Sequence, residues 1–600
     1  MTDATAHVEL PQIAFSDATP IAQGFDDVYF SRDGGIAETQ HVFVQGNGLP
    51  HRWAGCAQFT IGELGFGTGL NFLVAMRAFL AEAPAGARLH YVAIEKFPLT
   101  PDMLRAALAL QPELAAEAAL LLAAYPLRLP GIHRIHLPRV ALTLCFGDVE
   151  ALLPQLDMQA DAWFLDGFTP AKNPAMWTET VMAQLARLSA PGATVATFTA
   201  AGSVKRGLMQ AGFAMRKVDG FGHKRDMLVG MRADDETPRV TAKSAIVIGG
   251  GIAGCTVARA LAERGVRVTL LERGAIAQGA SGNAAAVLFP QLTKRWTASA
   301  AWYFTAYGFM LRQLLQWDAG HAAHQTIGML RVPRHAQEEA QLRGLNATLG
   351  LDPAIVHWVE HEEASVLAGV ALGTGGAWFP QGTWVAPGPL CRALLQHENI
   401  TVCEQVAATS LQREGAFWEV TAQDGAIFAA DICCVAAAHE CATLLPEMGL
   451  TLHAVGGQVS EVNAADVVAP LRSMLCHRGY VIPHGDRYLI GATYNHDVDD
   501  CTVTDDNHAR NLEDLATFLP GWLQGHACGG RMALRATTPD RLPYVGAVGE
   551  GLYVSTGHGS RGMLSAPLAA EVIASLILGE PVPLTQALRQ VVDPLRFKKR

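Results

Sequence analysis

The chain has 600 residues, half of them hydrophobic, and a net charge of −11. Such a length supplies about two to four domain cores and excludes a disordered or fibrous class, and the acidic balance leaves nucleic-acid binding to rest on local patches. Eleven cysteines without a C-x-x-C pair argue against a disulfide framework and against zinc, so no metal is expected. No stretch reaches about eighteen uncharged apolar residues, and MTDATAHVELPQIAF lacks a basic start followed by an apolar run; a cytoplasmic, non-membrane protein is expected.

The first chemistry-bearing stretch is Asp26, Asp27, Val28, Tyr29 and Phe30. An acid pair beside aromatics suits a cationic amine or a stacked base, with Asp26 and Tyr29 as candidates; a surface turn accounts for them equally. FTIGELGFGTGLNFL (59–73) then reads as a strand entering Glu63-x-Gly65-x-Gly67-x-Gly69 and a helix. It resembles the first motif of class I S-adenosylmethionine methyltransferases, whose glycines make room for the methionine part of the cofactor beside backbone amides. LHYVAIE ends a second strand on Glu95, where an acid takes ribose hydroxyls. VALTLCFGDVEALL places Asp148 after a third strand, the adenine-side position of that family.

The fourth strand, in ADAWFLDGFTPAKNPAMW, stops at Asp166. An acid at a carboxyl-terminal strand end of an α/β sheet sits where ligands bind. If the methyl acceptor is an amine, Asp166 can hold it and accept the proton that must leave; a helix cap or loop acid is the alternative. Lys172 and Asn173 are candidates for phosphate or base edges, or plain surface residues. A strand, a helix and a hairpin follow over 193–232, with seven basic residues including Lys205, Arg206, Lys224 and Arg225. Arg128, Arg134 and Arg139 form a second acid-free cluster. Both fit a nucleic-acid footprint, or solvated faces.

Polar, aperiodic ADDETPRVTA (233–242) marks a domain boundary, with the linker set at 236–243 between domains at 1–235 and 244–600. KSAIVIGGGIAGCTVARALAERGVRVTLLER (243–273) opens the second domain: a strand, Gly249-x-Gly251-x-x-Gly254, a helix and a strand ending on Glu272. Strand, turn, helix, strand and acid come in the order of a Rossmann-type nucleotide fold. Pyrophosphate would lie on the helix N-terminus and ribose on Glu272. Gly279 to Asn283, including Ser281, is a small-residue loop of the kind flavoproteins place near the pyrophosphate, or an ordinary turn. Residues 296–317 predict an aromatic-rich core helix, and about 301–530 a mixed substrate subdomain between FAD-binding parts at about 244–300 and 530–600.

RATTPDRLPYVG (535–546) and GLYVSTGHGSRGMLSAPLAAEVIASLI (551–577), with Gly557, His558, Gly559, Arg561 and Gly562, resemble the C-terminal signature of the D-amino-acid oxidase and glycine oxidase flavoenzymes. The resemblance implies that the glycine turn meets the flavin ring and that Arg535 pairs with a substrate carboxylate, for which a bidentate guanidinium is suited; a structural arginine is the alternative.

The fold class is therefore α/β: an N-terminal Rossmann-like methyltransferase domain joined to a C-terminal FAD-binding Rossmann domain with an α+β, glycine-oxidase-like substrate domain. ELGFGTGLNF, DGFTPAKNP and GHGSRG in one chain closely resemble the bifunctional MnmC family. That resemblance implies FAD and S-adenosyl-L-methionine as cofactors, tRNA as partner, a monomer, and carboxymethylaminomethyl uridine at the wobble position as substrate. The flavin half would remove the carboxymethyl group through an imine that water splits, and the other half would methylate the freed amine, neither step needing a metal. The rival enzyme reading is an oxidase of free amino acids fused to an unrelated methyltransferase. A rival of another class is a flavin-bearing RNA-binding scaffold without catalysis.

Overall fold

The computed structural model describes residues 6–16, 19–24, 27–29, 34–222, 224–233, 242–496 and 500–598. Asp26 and most of the expected linker lie outside them. The chain divides into two compact units, one from residues 7–240 with 579–587, the other from 241–578 and 588–600 with the first six.

The first unit is built on eight strands: β1 (Gln58–Leu64), β2 (Arg88–Glu95), β3 (Gly131–Leu137), β4 (Val140–Phe146), β5 (Ala160–Leu165), β6 (Ser189–Thr197), β7 (Phe213–Asp219) and β8 (Asp226–Arg232). Their order is β7-β8-β6-β5-β1-β2-β4-β3. The five from β6 to β4 are parallel, and hairpins at both edges add antiparallel strands. The hairpin partner β3 is an addition to the expected order, so Asp148 follows the fourth strand in the chain rather than the third. Strands β1, β2 and β5 are apolar because both faces of a parallel sheet are covered. On one face Phe43, Trp53, Phe72, Phe79 and Tyr91 form the core, and on the other Trp163, Leu185, Leu208 and Phe213. Gly62 is what lets Trp163 cross β1: a Cβ there would stand 2.3 Å from the indole. Because β1 has β2 on one side and β5 on the other, the crevice of this sheet opens at the carboxyl ends of β1 and β5.

The second unit carries a six-stranded sheet of β9 (Ser244–Ile248), β10 (Arg267–Glu272), β11 (Ile400–Glu404), β12 (Ile432–Val435), β13 (Tyr544–Gly549) and β14 (Leu552–Thr556), in the order β11-β10-β9-β12-β14-β13. Only β13 runs antiparallel to its neighbour. Strands β11 and β12 come from inside the stretch assigned to the substrate subdomain, so that stretch is divided among several sheets. Most of the remainder builds an eight-stranded mixed sheet in which His453–Asn463 pairs with Gly529–Thr537, and the rest contributes to two three-stranded sheets. The expected aromatic helix is present as Ala298–Trp317, with Trp302, Tyr303 and Tyr307 buried. The glycine-opened helix Ile252–Ala262 packs against Gly562–Leu578, joined by a buried Arg264–Glu571 ion pair at 2.7 Å. A stretch reaching back to Gly559 is long and apolar enough to cross a membrane, but 83% of it is buried inside the protein.

The second basic cluster is not a surface footprint. Arg134 is 1% exposed and donates to the Pro581 carbonyl, with Glu580 Oε2 at 4.0 Å and Glu580 Oε1 3.7 Å from His90 Nε2. Arg139 hydrogen-bonds the Ala83, Pro84 and Ala87 carbonyls, and Arg128 those of Val8, Glu9 and Pro98. These arginines tie the unit's own backbone together. Arg134→Leu therefore strands a buried carboxylate and should destabilise the methyltransferase-like unit by about 3–5 kcal/mol, read as a lower denaturation midpoint. Adding Glu580→Leu should recover part of the loss, and a double variant no better than the single would mean that this pair is not what the arginine serves.

Candidate functional site

At the carboxyl ends of β1 and β5 lies a cavity of about 760 Å³, lined by Gly65, Gly67, Glu95, Asp148, Asp166, Tyr29 and Asn173 among others. The turn after β1 is shaped by positive φ at Gly65 (+88°), Gly67 (+52°) and Gly69 (+74°). A Cβ on Gly65 would stand 2.5 Å from the Asp166 carbonyl, so this glycine lets the two strand ends meet. Glu95 closes the turn from β2: its Oε2 accepts from Gly67 N at 2.8 Å and its Oε1 from Phe97 N at 2.7 Å. Burial outweighs these hydrogen bonds and raises the Glu95 carboxyl above its usual range. Asp148 caps the short helix Val149–Leu152 through Glu150 N at 3.0 Å and meets Lys96 Nζ at 3.0 Å. Burial alone would raise it, but those partners win and hold it low.

Two expected cofactor contacts do not face the cavity. Gly69 shapes the turn, where a Cβ would run into the Phe66 ring at 2.8 Å. Glu63 is fully buried behind the wall, with Oε1 accepting from Asn71 Nδ2 at 2.9 Å. Asn71 Nδ2 also donates to Asp166 Oδ2 at 2.6 Å. Burial pushes the Glu63 carboxyl well above its ordinary value and Asp166 up to about 7. Tyr29 covers Gly67, with its ring edge-on to Phe168 at 5.8 Å, and burial followed by Glu95 raises its hydroxyl.

The second unit holds a larger cavity, about 1790 Å³, on whose wall stand Gly249, Gly251, Glu272, Ser281, Arg535, Gly557, His558, Gly559, Arg561 and Gly562. Gly249 (φ +110°) would place a Cβ 2.6 Å from the Ala436 carbonyl. Gly254 faces away: its Cβ would stand 1.8 Å from the Gly249 carbonyl, so it serves helix-to-strand packing. Glu272 repeats the Glu95 arrangement, Oε2 accepting from Gly250 N at 2.6 Å and Oε1 from Gly274 N at 2.8 Å. Ser281 Oγ accepts from Ile252 N at 3.0 Å, on the first turn of the glycine-opened helix. Missing side chains at Gly249 and Gly251, a helix N-terminus and a strand-end acid suit a dinucleotide. The first cavity's left-handed glycine turn, its size and two acids suit a nucleoside with a short charged arm.

Arg535 crosses Gly457, where a Cβ would fall 2.1 Å from the guanidinium, and donates Nη1–H to the Thr493 carbonyl at 3.2 Å. Burial lowers its pKa, opposed by Tyr480 and Tyr494. Arg561 lies over the Tyr303 ring at 5.2 Å, and burial likewise lowers it. His558 is turned into the fold. Its Nδ1 meets Ser565 Oγ at 2.8 Å and its Nε2 meets Ser555 Oγ at 3.1 Å. Ser565 donates its own proton to the Arg561 carbonyl at 2.9 Å, so Nδ1 of His558 is the donor to Ser565 Oγ, and burial favours the neutral ring. Its side chain thus supports the glycine turn.

Of the residues expected to meet nucleic acid, Lys172, Arg206, Lys224 and Arg225 are exposed, Lys205 and Asn173 half-buried. Lys224 lines the first cavity, pairs with Glu38 at 3.0 Å and stands over Phe198 at 4.4 Å.

A model of FAD-dependent oxidoreductases matches residues 244–576, and one of S-adenosyl-L-methionine-dependent methyltransferases matches residues 112–233. The chain is 42% identical to the tRNA 5-methylaminomethyl-2-thiouridine biosynthesis bifunctional protein MnmC of Chromobacterium violaceum, over 98% of this chain and 97% of that one. The chain belongs to the MnmC family. The MnmC protein of Ectopseudomonas mendocina is also 42% identical, over 97% of this chain and 96% of its own. Glycine oxidase from Bacillus cereus superposes on this chain with a TM-score of 0.51 at 23% identity, covering 56% of this chain and 95% of that one, a likeness of fold. The cofactors are FAD and S-adenosyl-L-methionine. Among the described residues no group of histidines, cysteines and acids could hold a metal.

Several residues that shape the two cavities carry no signal that sequence reasoning could use. Gly457 looks like any strand glycine. Arg531 ties the Gln278 and Gly279 carbonyls and Asn283 Oδ1 to the eight-stranded sheet, but stands 248 residues from Asn283. Asn71 lies inside the quoted motif, yet nothing local shows what it bonds. One consequence is measurable. The pKa of His558 is lowered to about 4 by burial, so folding stability from its neutral form is present above the unfolded value of about 6.5 and is lost as pH falls toward 4. His558→Gln should flatten the unfolding midpoint between those pH values; an unchanged slope would assign the loss to other groups.

Proposed function

We propose that this chain is a cytoplasmic monomer that edits one nitrogen of a tRNA wobble uridine twice. The FAD unit removes the carboxymethyl group of 5-carboxymethylaminomethyl(-2-thio)uridine, and the methyltransferase unit converts the resulting aminomethyl group to methylaminomethyl. The observation that carries the reading is the pairing of charges: an arginine on the wall of the flavin-type cavity and an acid on the wall of the other. The substrate is a glycine joined through its nitrogen to a base, so it offers a carboxylate first and, once shortened, an amine.

FAD supplies the hydride acceptor and S-adenosyl-L-methionine the methyl group. The chain supplies position and charge. Arg535, desolvated and braced by Thr493, holds the carboxylate so that the carbon between it and the nitrogen faces the glycine turn at Gly557 and Gly559. Loss of hydride from that carbon leaves a carbon–nitrogen double bond, and water splits it into a two-carbon oxo acid and the primary amine. Asp166 then receives the amine, offsets its charge as an ammonium and accepts the proton whose departure frees the lone pair. A carboxyl brought up to about 7 exchanges that proton near neutral pH. Tyr29 and Asn173, on the same wall, hold the base, and Lys172, Lys205, Arg206 and Arg225 take phosphates. The domain division we propose is functional: residues 1–235 methylate and 244–600 oxidise.

Asp166→Asn should leave tRNA carrying the bare aminomethyl group, with the methylation rate down by about 10²–10⁴-fold; wobble-nucleoside mass spectrometry showing methylated product at the normal rate would remove the acid from the mechanism. Gly251→Val should give colourless protein in which the carboxymethyl form accumulates while supplied aminomethyl tRNA is still methylated. Gly457→Ala should displace Arg535 and weaken use of the carboxylate about 10–100-fold at full flavin content. Turnover of free glycine or sarcosine at rates matching modified tRNA would favour an amino-acid oxidase instead.

A further inference from the structure

We propose that Thr39 and Asn71 form a positioning relay that presents the Asp166 carboxylate to the amine being methylated. The inference rests on the reading of Asp166 given above. Thr39 ends the short helix Gly35–Thr39, and Asn71 is the second residue of the helix Leu70–Glu82 that follows the glycine turn. Both are buried, 3% and 7% exposed.

Hydrogen-bond chemistry decides the orientation. Thr39 Oγ1 donates to Asn71 Oδ1 at 2.7 Å, which fixes the oxygen end of the amide. The NH₂ end then spends both hydrogens on carboxyl groups, one on Glu63 Oε1 at 2.9 Å and one on Asp166 Oδ2 at 2.6 Å. A flipped amide would set its oxygen against two carboxyls, so those acceptors fix the NH₂ end and the Thr39 hydroxyl locks the oxygen end by donating to it. Oδ2 of Asp166 is thereby committed to the amide, and Oδ1 is the oxygen Asn71 leaves to the amine.

The same bridge assigns the charge. Two carboxylates on one amide, away from water, cannot both ionise cheaply. Glu63 is sealed behind the wall and keeps its proton, while Asp166 stands on the cavity and ionises. The groups that face this pair are Glu38 from the Thr39 helix, Asp27 from the N-terminal strand, Lys224 from the β7–β8 turn, and Tyr91 and Glu95 on β2. Of these Lys224 favours the Asp166 anion and the acids oppose it, so the Asn71 amide is a principal support of the ionised form.

The test uses the full-length chain with aminomethyl tRNA, comparing Thr39→Val, Thr39→Ser, Asn71→Ala and Asp166→Asn by methylation rate against pH and by calorimetric binding of S-adenosyl-L-methionine. Thr39→Val keeps the shape and removes the donor; kcat should fall about tenfold with cofactor Kd unchanged, and Thr39→Ser should restore it. In Asn71→Ala the acid limb of the kcat profile should move to higher pH, because a hydrogen bond favouring the anion is gone. Wild-type kcat and pH profile in Thr39→Val, or a serine variant as impaired as the valine one, would overturn the relay. If Asp166→Asn is inactive while Thr39→Val and Asn71→Ala behave as wild type, the relay alone falls. If Asp166→Asn methylates normally, the reading beneath it falls as well.

Discussion

Each unit depends on one carboxylate at the end of the second strand of its nucleotide motif. In the first unit Glu95 ties Gly67 N to Phe97 N, and in the second Glu272 ties Gly250 N to Gly274 N. In both, one oxygen holds the glycine turn and the other holds the amide two residues downstream. A glycine-rich turn alone is conformationally loose; clamped to the neighbouring strand it becomes a fixed floor. The wall of each cavity is measured from that floor, because the Asp166 carbonyl packs on Gly65 and Ser281 accepts from the Ile252 amide at the start of the helix after Gly251.

The two cavities use desolvation toward opposite ends. Burial brings Asp166, on the wall of the first, up to about 7. On the wall of the second, burial lowers the pKa of Arg535 while Tyr480 and Tyr494 oppose the shift. One cavity thus presents a desolvated carboxyl and the other a desolvated guanidinium.

What the sequence made legible was local chemistry. Glycine spacing followed by a helix, and an acid closing the next strand, are short-range patterns with few physical solutions, and both turns came out in the expected place. Long-range partners were invisible. Asn71 sits inside a motif, but its meaning comes from Thr39, 32 residues earlier, and Asp166, 95 residues later. Charge without burial misled in the other direction: Arg134 reads as part of a basic surface and lies in the core. Strand β3 escaped notice because its polar alternation resembles a loop until β4 pairs with it.

The bond from Arg134 to the Pro581 carbonyl joins residues 447 positions apart. On a ribosome adding ~5–20 residues per second, that separation is a wait of roughly 20–90 s. Through that interval Arg134 lacks the Glu580 carboxylate that pairs with it, so the nascent methyltransferase half keeps an unfinished seam in its interior. The half that is synthesised first therefore cannot close its core until nearly the whole chain has been made, and translation speed becomes part of how long that seam stays open.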